Sequence, residues 1–368
     1  MAASAKPESV HLDGVPFGLV FQRVTDRLVS GRRPEHSTLP ESKDEFPKLL
    51  CLDMNKWIGL AQAHYGHPRG RSFEPALAAI TAAVRLGRLV VPVLGANALE
   101  AMQNLRLDQR RRLGKFMVEL SGNHCLRHEL SVTILELAFA IVTEFAGMRW
   151  TPSLRGQLVH RGISHAITGG AIAIGSGIPD LDVALTDLFN EPEAAVETLV
   201  GVLDSETIVK FRQDDADLAW LVDRVRRNES GLAIAVRRNN EFRSMLGGEG
   251  FRELLRQALR GVDVSEPVLV AWLETDSNMD RFARAVAGFD VEAELMLRRD
   301  RNLNHTPAAN DARDFSFLRV AIPYANVVVT EKSWSHLANA AGLHSRYGTT
   351  VTHSEADIPS LLAEMGCI

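Results

Sequence analysis

The chain has 368 residues, 46% hydrophobic and 24% charged, the balance of a globular protein with one large domain or two smaller ones. A formal net charge of −5 excludes a global basic field for nucleic acid and leaves only a local basic patch open. Cys51, Cys125 and Cys367 are odd in number and far apart, which excludes a disulfide framework or zinc-ligand spacing and fits a reducing compartment.

Residues 1–45 are rich in Pro, Ser and charge and read as an extension with little core of its own. They show no apolar run behind a basic start, so no signal peptide is expected. "PKLLCLD" (47–53) is a short apolar run ending in an acid, as in a strand of a parallel sheet buried on both faces. "MNKWIGLAQAHY" follows with helical spacing, and its apolar stripe places Trp57 in the core. "FEPALAAITAAVRLG" predicts a second helix stopped by Gly87, "RLVVPVLG" (88–95) a second strand, and "NALEAMQNL" a helix capped by Asn97.

From 107 to 300 the periodicity is helical, strand signals are scarce, and no fixed repeat recurs. The longest apolar stretch there, "SVTILELAFAIVTEF", is broken by Glu136 and too short for a bilayer, so a cytoplasmic protein is expected. "TGGAIAIGSGIP" (168–179) lacks the Lys-Ser/Thr of a phosphate loop and reads as a loop or packing segment. His160 and His165 are five apart, whereas helical metal pairs prefer three or four. The α/β pattern then resumes: a helix from Asp314 to Tyr324, a strand "NVVVTE" (326–331), a helix "KSWSHLANAAGL", a strand "GTTVTH" (348–353) and a last helix "IPSLLAEMG". Tyr324 and Trp334 read as core. The simplest organisation is one α/β domain in two halves, 46–121 and 300–368, split by a large all-helical insertion over 122–299.

In an open parallel sheet, ligands bind beyond the carboxyl ends of the strands. Asp53 ends the first predicted strand, Glu100 lies in the helix after the second, and Glu331 ends "NVVVT". Asp311 and Asp314 open the helix that feeds that strand, three apart and so on one side of it. Each has a local explanation as well: Asp53 as a helix cap, Asp311 and Asp314 as first-turn acids, Glu331 as a cap, Glu100 as a solvated residue. The joint pattern is stronger, because separate elements deliver acids to one edge. Converging carboxylates raise each other's pKa unless a cation shares them, and hard oxygen ligands select Mg2+ or Mn2+.

These residues resemble the PIN-domain nucleases. In that family a first strand ends in Asp-x-Asn or Asp-x-Ser, here "LDMN" with Asp53 and Asn55. An acid follows in the helix after the second strand, here Glu100 in "ANALEAM". An Asp then opens a helix leading to a strand that ends in Thr-acid, here Asp314, Thr330 and Glu331 in "DFSFLRVAIPYANVVVTE". The resemblance covers 46–121 and 300–368. It implies a Rossmann-like parallel sheet, a divalent-metal site and RNase activity on single strands or loops. It makes Asp53, Asp314 and Glu331 the metal ligands, Glu100 and Asp311 ligands or positioners of the attacking water, and Asn55 and Thr330 supporting polar groups. Two features depart from the family: the last acid directly follows Thr330, where the family often has Asp one residue further on, and the two halves lie further apart than usual.

Two basic segments flank these acids in sequence. Arg110, Arg111 and Arg112 follow Glu100, and Arg298, Arg299 and Arg301 precede Asp311. They predict a phosphate-binding rim, or else a solvated helix face laced with acid partners such as Asp108 and Asp300. Arg127, His124 and His305 are further candidate contacts. The leading expectation is a metal-dependent endoribonuclease with RNA as substrate, used as a toxin or phage-defence effector and served by a protein regulator or a homo-oligomer. Its rival is a PIN-like scaffold with a weak metal site, whose helical insertion binds a protein partner. A small-ester phosphohydrolase ranks lower, since "DMN" lacks the second Asp of that signature.

Overall fold

The structure is a computed structural model that describes residues 47–104, 106–147, 155–168, 191–200, 232–260, 262, 264–301 and 311–368. The N-terminal extension, the Gly-rich stretch beyond Thr168, the helical pattern over 214–228 and His305 lie outside the described residues.

β1 (Lys48–Leu52) leads through Asp53 into α1 (Met54–His64), and a 3-10 turn over Pro68–Phe73 returns the chain to α2 (Glu74–Arg85). β2 (Leu89–Val90) precedes α3 (Gly95–Asn104) and α4 (Leu107–Ser121). β3 (His124–Leu126) comes next, then α5 (Glu129–Ala140), which runs on as a π-helical turn over Ile141–Phe145. α6 (Arg155–Leu158), β4 (Val159–Arg161), α7 (Ser164–Thr168) and α8 (Pro192–Val200) follow. A run of helices comprises α9 (Ile234–Gly247), α10 (Glu249–Leu259), α11 (Glu266–Leu273), α12 (Asp276–Ala285) and α13 (Ala287–Arg301). The chain closes with α14 (Asp311–Tyr324), β5 (Val327–Val329), α15 (Lys332–Ala340), α16 (Leu343–Tyr347), β6 (Thr350–Thr352) and α17 (Ile358–Glu364).

The molecule is α/β and mostly helical, with a parallel four-stranded sheet in the order β2-β1-β5-β6. β1 pairs with β5 across the long intervening sequence, Leu50 opposite Val327 and Leu52 opposite Val329. Alternation along β1 explains why both faces are apolar. Leu50 and Leu52 join a core with Trp57, Ile80, Phe116 and Leu362, while Leu49 and Cys51 join another with Leu318, Ile322 and Val351. A third core holds only helices, centred on Phe242, whose ring meets Phe251, Phe282 and Phe289 at 5.5, 5.8 and 4.9 Å.

The segment 122–299 was expected to be all helical, and β3 and β4 correct that. They pair antiparallel, and Val93 bridges to Cys125, so this small ladder continues from the strand that holds β2. Pro92 is the reason for the break: it has no amide to donate, so β2 stops at Val90 and the backbone resumes pairing at Val93 with a different partner. His-Cys-Leu and Val-His-Arg offer neither a uniform apolar run nor alternation, so the sequence does not announce these strands and their neighbours create them.

The 3-10 turn before α2 lies tight against α1. A Cβ at Gly70 would stand 2.1 Å from the Ala63 amide nitrogen. Gly70→Ala is therefore expected to lower unfolding free energy by about 1–3 kcal/mol, through overpacking against backbone that cannot yield. A urea unfolding curve superimposable on the parent's would refute this.

Candidate functional site

β1 and β5 end side by side, and the Asp53 amide donates to the Val329 carbonyl at 3.0 Å. Beyond these carboxyl ends opens a cavity of about 560 Å3. Asp53, Glu100, Asp311, Asp314 and Glu331 all line it. They come from the end of β1, from α3, from the first turn of α14 and from the residue after Thr330, so four distant segments meet at one edge of the sheet.

Each carboxylate is held differently. Asp53 is buried and caps α1, its Oδ1 accepting the Lys56 amide at 3.2 Å, so the local explanation for it holds alongside its place in the cavity. Burial pushes its pKa up to about 6; the Lys56 amide and charge oppose this, and the nearby Glu331 charge adds to it. Asp314 is pushed up to about 7, first by burial and then by the charges of Glu331, Asp53 and Asp311. The indole Nε1 of Trp334 donates to Asp314 Oδ2 at 2.8 Å and works against that rise. Glu100 is raised by burial and by Asp53, with Arg313 pulling the other way. Glu331 occupies the N-cap position of α15 without its side chain capping it; instead it accepts from Asn55 Nδ2 at 3.0 Å.

Asn97 was expected to cap α3, but the helix begins at Gly95 and Asn97 sits inside its first turn. Its Oδ1 reaches back to the Leu94 amide at 3.3 Å, as the third residue of a capping box does, and its Nδ2 donates to the Leu52 carbonyl at 3.2 Å. That amide ties α3 to the end of β1 and sets Glu100, one turn later, facing Asp53. Thr330 is buried, does not line the cavity, and through its amide extends the β5–β6 ladder to the Thr352 carbonyl at 3.0 Å. Trp334 is core, as read, and also lines the cavity.

The expected basic rim is largely not where sequence order put it. Arg110, Arg111, Arg112 and Arg301 do not line the cavity. Arg110 Nη1 donates to the Met102 carbonyl at 2.8 Å, and exposed Arg111 pairs with Glu197 at 3.3 Å. Arg298 does reach the cavity, with Nε 3.3 Å from Glu294. Arg299 also borders the cavity, but it is only 4% exposed, donates Nη1 to Asp311 Oδ2 at 2.7 Å and lies 5.0 Å from the Phe315 ring. Its guanidinium is largely desolvated and already bonded to Asp300 and Asp311, which leaves it little surface for a phosphate backbone. Sequence reading missed Arg313, which lines the cavity beside Glu100; its place between Asp311 and Asp314 was the one available signal.

Elsewhere, His160 and His165 stack at 4.4 Å, and His160 Nε2 takes the Arg127 Nε–H at 2.9 Å. Burial pushes both imidazoles down, His160 to about 4 with Arg127 adding to it and His165 to about 3 with His160 and then Arg127 adding to it.

The clustered carboxylates suit a hard divalent ion, although His336, Arg298, Arg299 and Arg313 line the same cavity; the charge of Glu331 raises both Asp53 and Asp314, and Asp53 also raises Asp314. Among the described residues, no three His, Cys, Asp or Glu side chains already stand together as a ligand group. Binding would have to draw them in. Because the folded pKa values of Asp53 and Asp314 exceed the ordinary 3.8, the folded state holds extra protons between about pH 4 and 7, and metal-free stability falls as pH rises through that window. A cation needs both groups deprotonated, so its affinity moves the opposite way. Mn2+ affinity is expected to drop about tenfold or more from pH 7.5 to 5.5, with protons released on binding; calorimetry in buffers of different ionisation heat reads both. An affinity flat over that range would refute the coupling.

Among the described residues no helix is long and apolar enough to cross a membrane. In comparisons with known proteins, no family model, no curated protein and no solved structure matches the chain.

Proposed function

We propose that the chain is a cytoplasmic, Mg2+- or Mn2+-dependent endoribonuclease with a PIN-like, Rossmann-like domain split by a helical insertion. One observation carries this reading: four separated segments deliver five carboxylates to one cavity at the carboxyl ends of parallel strands. Asp53, Asp314 and Glu331 would hold the ion. Such an ion activates water and offsets the charge of a phosphodiester.

The remaining groups prepare the site. Asn55 orients Glu331, Trp334 orients Asp314, and Asn97 sets the helix that carries Glu100. Burial raises the pKa of Glu100, which makes it a stronger proton acceptor for an attacking water than an ordinary carboxylate. Arg313 and Arg298 face the same space and supply positive charge for the phosphate. The cavity, about 560 Å3, is of a size to take a nucleotide unit of an unpaired strand. A nuclease able to damage its own host needs control, which makes a toxin or antiviral effector with a protein regulator the proposed setting.

One observation favours a second reading, a binding protein of the same fold: no ligand group stands ready-made among the described residues. The test incubates the purified protein with single-stranded RNA, single-stranded DNA and small phosphate esters, each with Mn2+ and with chelator. Chelator-sensitive RNA cleavage supports the nuclease. No cleavage of any substrate under any condition supports the binding protein.

A further inference from the structure

A file of buried charges runs from the helical body into the cavity. Arg237 Nη2 on α9 donates to Asp300 Oδ2 at 3.1 Å. The other oxygen of Asp300 takes two bonds from Arg299, Nε at 3.1 Å and Nη2 at 2.9 Å. Arg299 Nη1 then reaches Asp311 Oδ2 at 2.7 Å. All four side chains are buried, and two guanidiniums alternate with two carboxylates. The plane of Arg299 is fixed further by the Phe315 ring, which packs on Trp334 at 4.9 Å, the same Trp334 that donates to Asp314.

The five cavity acids are therefore not equivalent. Asp53, Asp314 and Glu331 accept from neutral donors: a backbone amide, an indole and a side-chain amide. Asp311 accepts from a guanidinium. Coordination of a metal ion through Asp311 Oδ2 would break this bond and leave Arg299 with Asp300 alone inside a desolvated site, whereas the bonds of the other three involve no charged donor.

We propose that Arg237, Asp300 and Arg299 form an internal counter-ion fixed on Asp311, so that Asp311 is a positioning residue and the other carboxylates serve one divalent ion, not two. The ion count rests on the nuclease reading; the buried relay does not. It makes the helical body part of the site, since Arg237 belongs to a helix packed on the third core.

Two measurements on the full chain test this. In calorimetric titration with Mn2+, wild type is expected to bind one ion. Asp311→Asn is expected to hold Kd within about threefold, and Asp314→Asn to weaken it at least tenfold. Two ions in wild type, or Asp311→Asn weakening binding as much as Asp314→Asn, overturns the proposal. Independently, the Arg299 Nε–H nitrogen-15 signal, identified by its loss in Arg299→Lys, is expected to exchange slowly and to stay unchanged at saturating Mg2+. In Asp300→Asn it is expected to exchange quickly. A signal that exchanges quickly in wild type, or that Mg2+ shifts, overturns the relay. Mn2+ failing to bind wild type sinks the metal reading and the ion count with it, and the guanidinium signal then decides the relay alone.

Discussion

Asp53→Asn combined with Asp314→Asn is expected to abolish RNA cleavage, on the order of 10³-fold or more, while leaving the fold intact and more stable at neutral pH. Both substitutions keep the shape and the accepting oxygen of the original side chain. Oδ1 of residue 53 can still cap α1, and an amide oxygen at 314 can still take the Trp334 indole proton. What is lost is negative charge at the place where a cation would be held. The stability gain follows from the same charges: at pH 7.5 the protein holds two carboxylates whose folded pKa values, about 6 and about 7, exceed the ordinary value. Neutral side chains remove that penalty, a gain on the order of 1–2 kcal/mol in the metal-free protein. Gel-based cleavage and urea unfolding read the two effects. Residual cleavage equal to wild type would end the assignment of these residues, and a large loss of stability would mean that they are structural.

Asp300→Ala carries the second large effect. It removes the carboxylate shared by Arg237 and Arg299, both 4% exposed, and leaves two guanidiniums facing each other without it. Breaking a buried charge network from one side is expected to cost about 3–5 kcal/mol. Asp276→Ala is the comparison, because its pair with Arg243 is exposed; it is expected to change stability by less than about 1 kcal/mol. Equal unfolding midpoints for the two variants would show that Asp300 is compensated in some other way.

Much of the sheet was legible. "KLLCL" and "VVV" are short, uniformly apolar and bounded by acids or polar residues, the pattern of strands covered on both sides, and they pair as such. The five acids were legible too, because an acid at a strand end or in a first helical turn is a local fact that sequence position carries. The boundary of α3 was not. Leu94 takes the cap position because Asn97 reaches back and also across to Leu52, a contact between residues forty-five apart.

The sequence by itself thus determined the strands that carry the site and the acids at their ends, since both depend on patterns a few residues long. The tertiary structure alone decided what each charge meets. Arg299 and Arg301 look alike in the string "RRDR", yet one is buried between Asp300 and Asp311 and the other is exposed. Arg313 reaches the cavity, and Arg110 to Arg112 do not. The reason is physical: a strand is recognised by neighbours in the chain, whereas the partner of a charge is set by desolvation and by which distant helix packs against it.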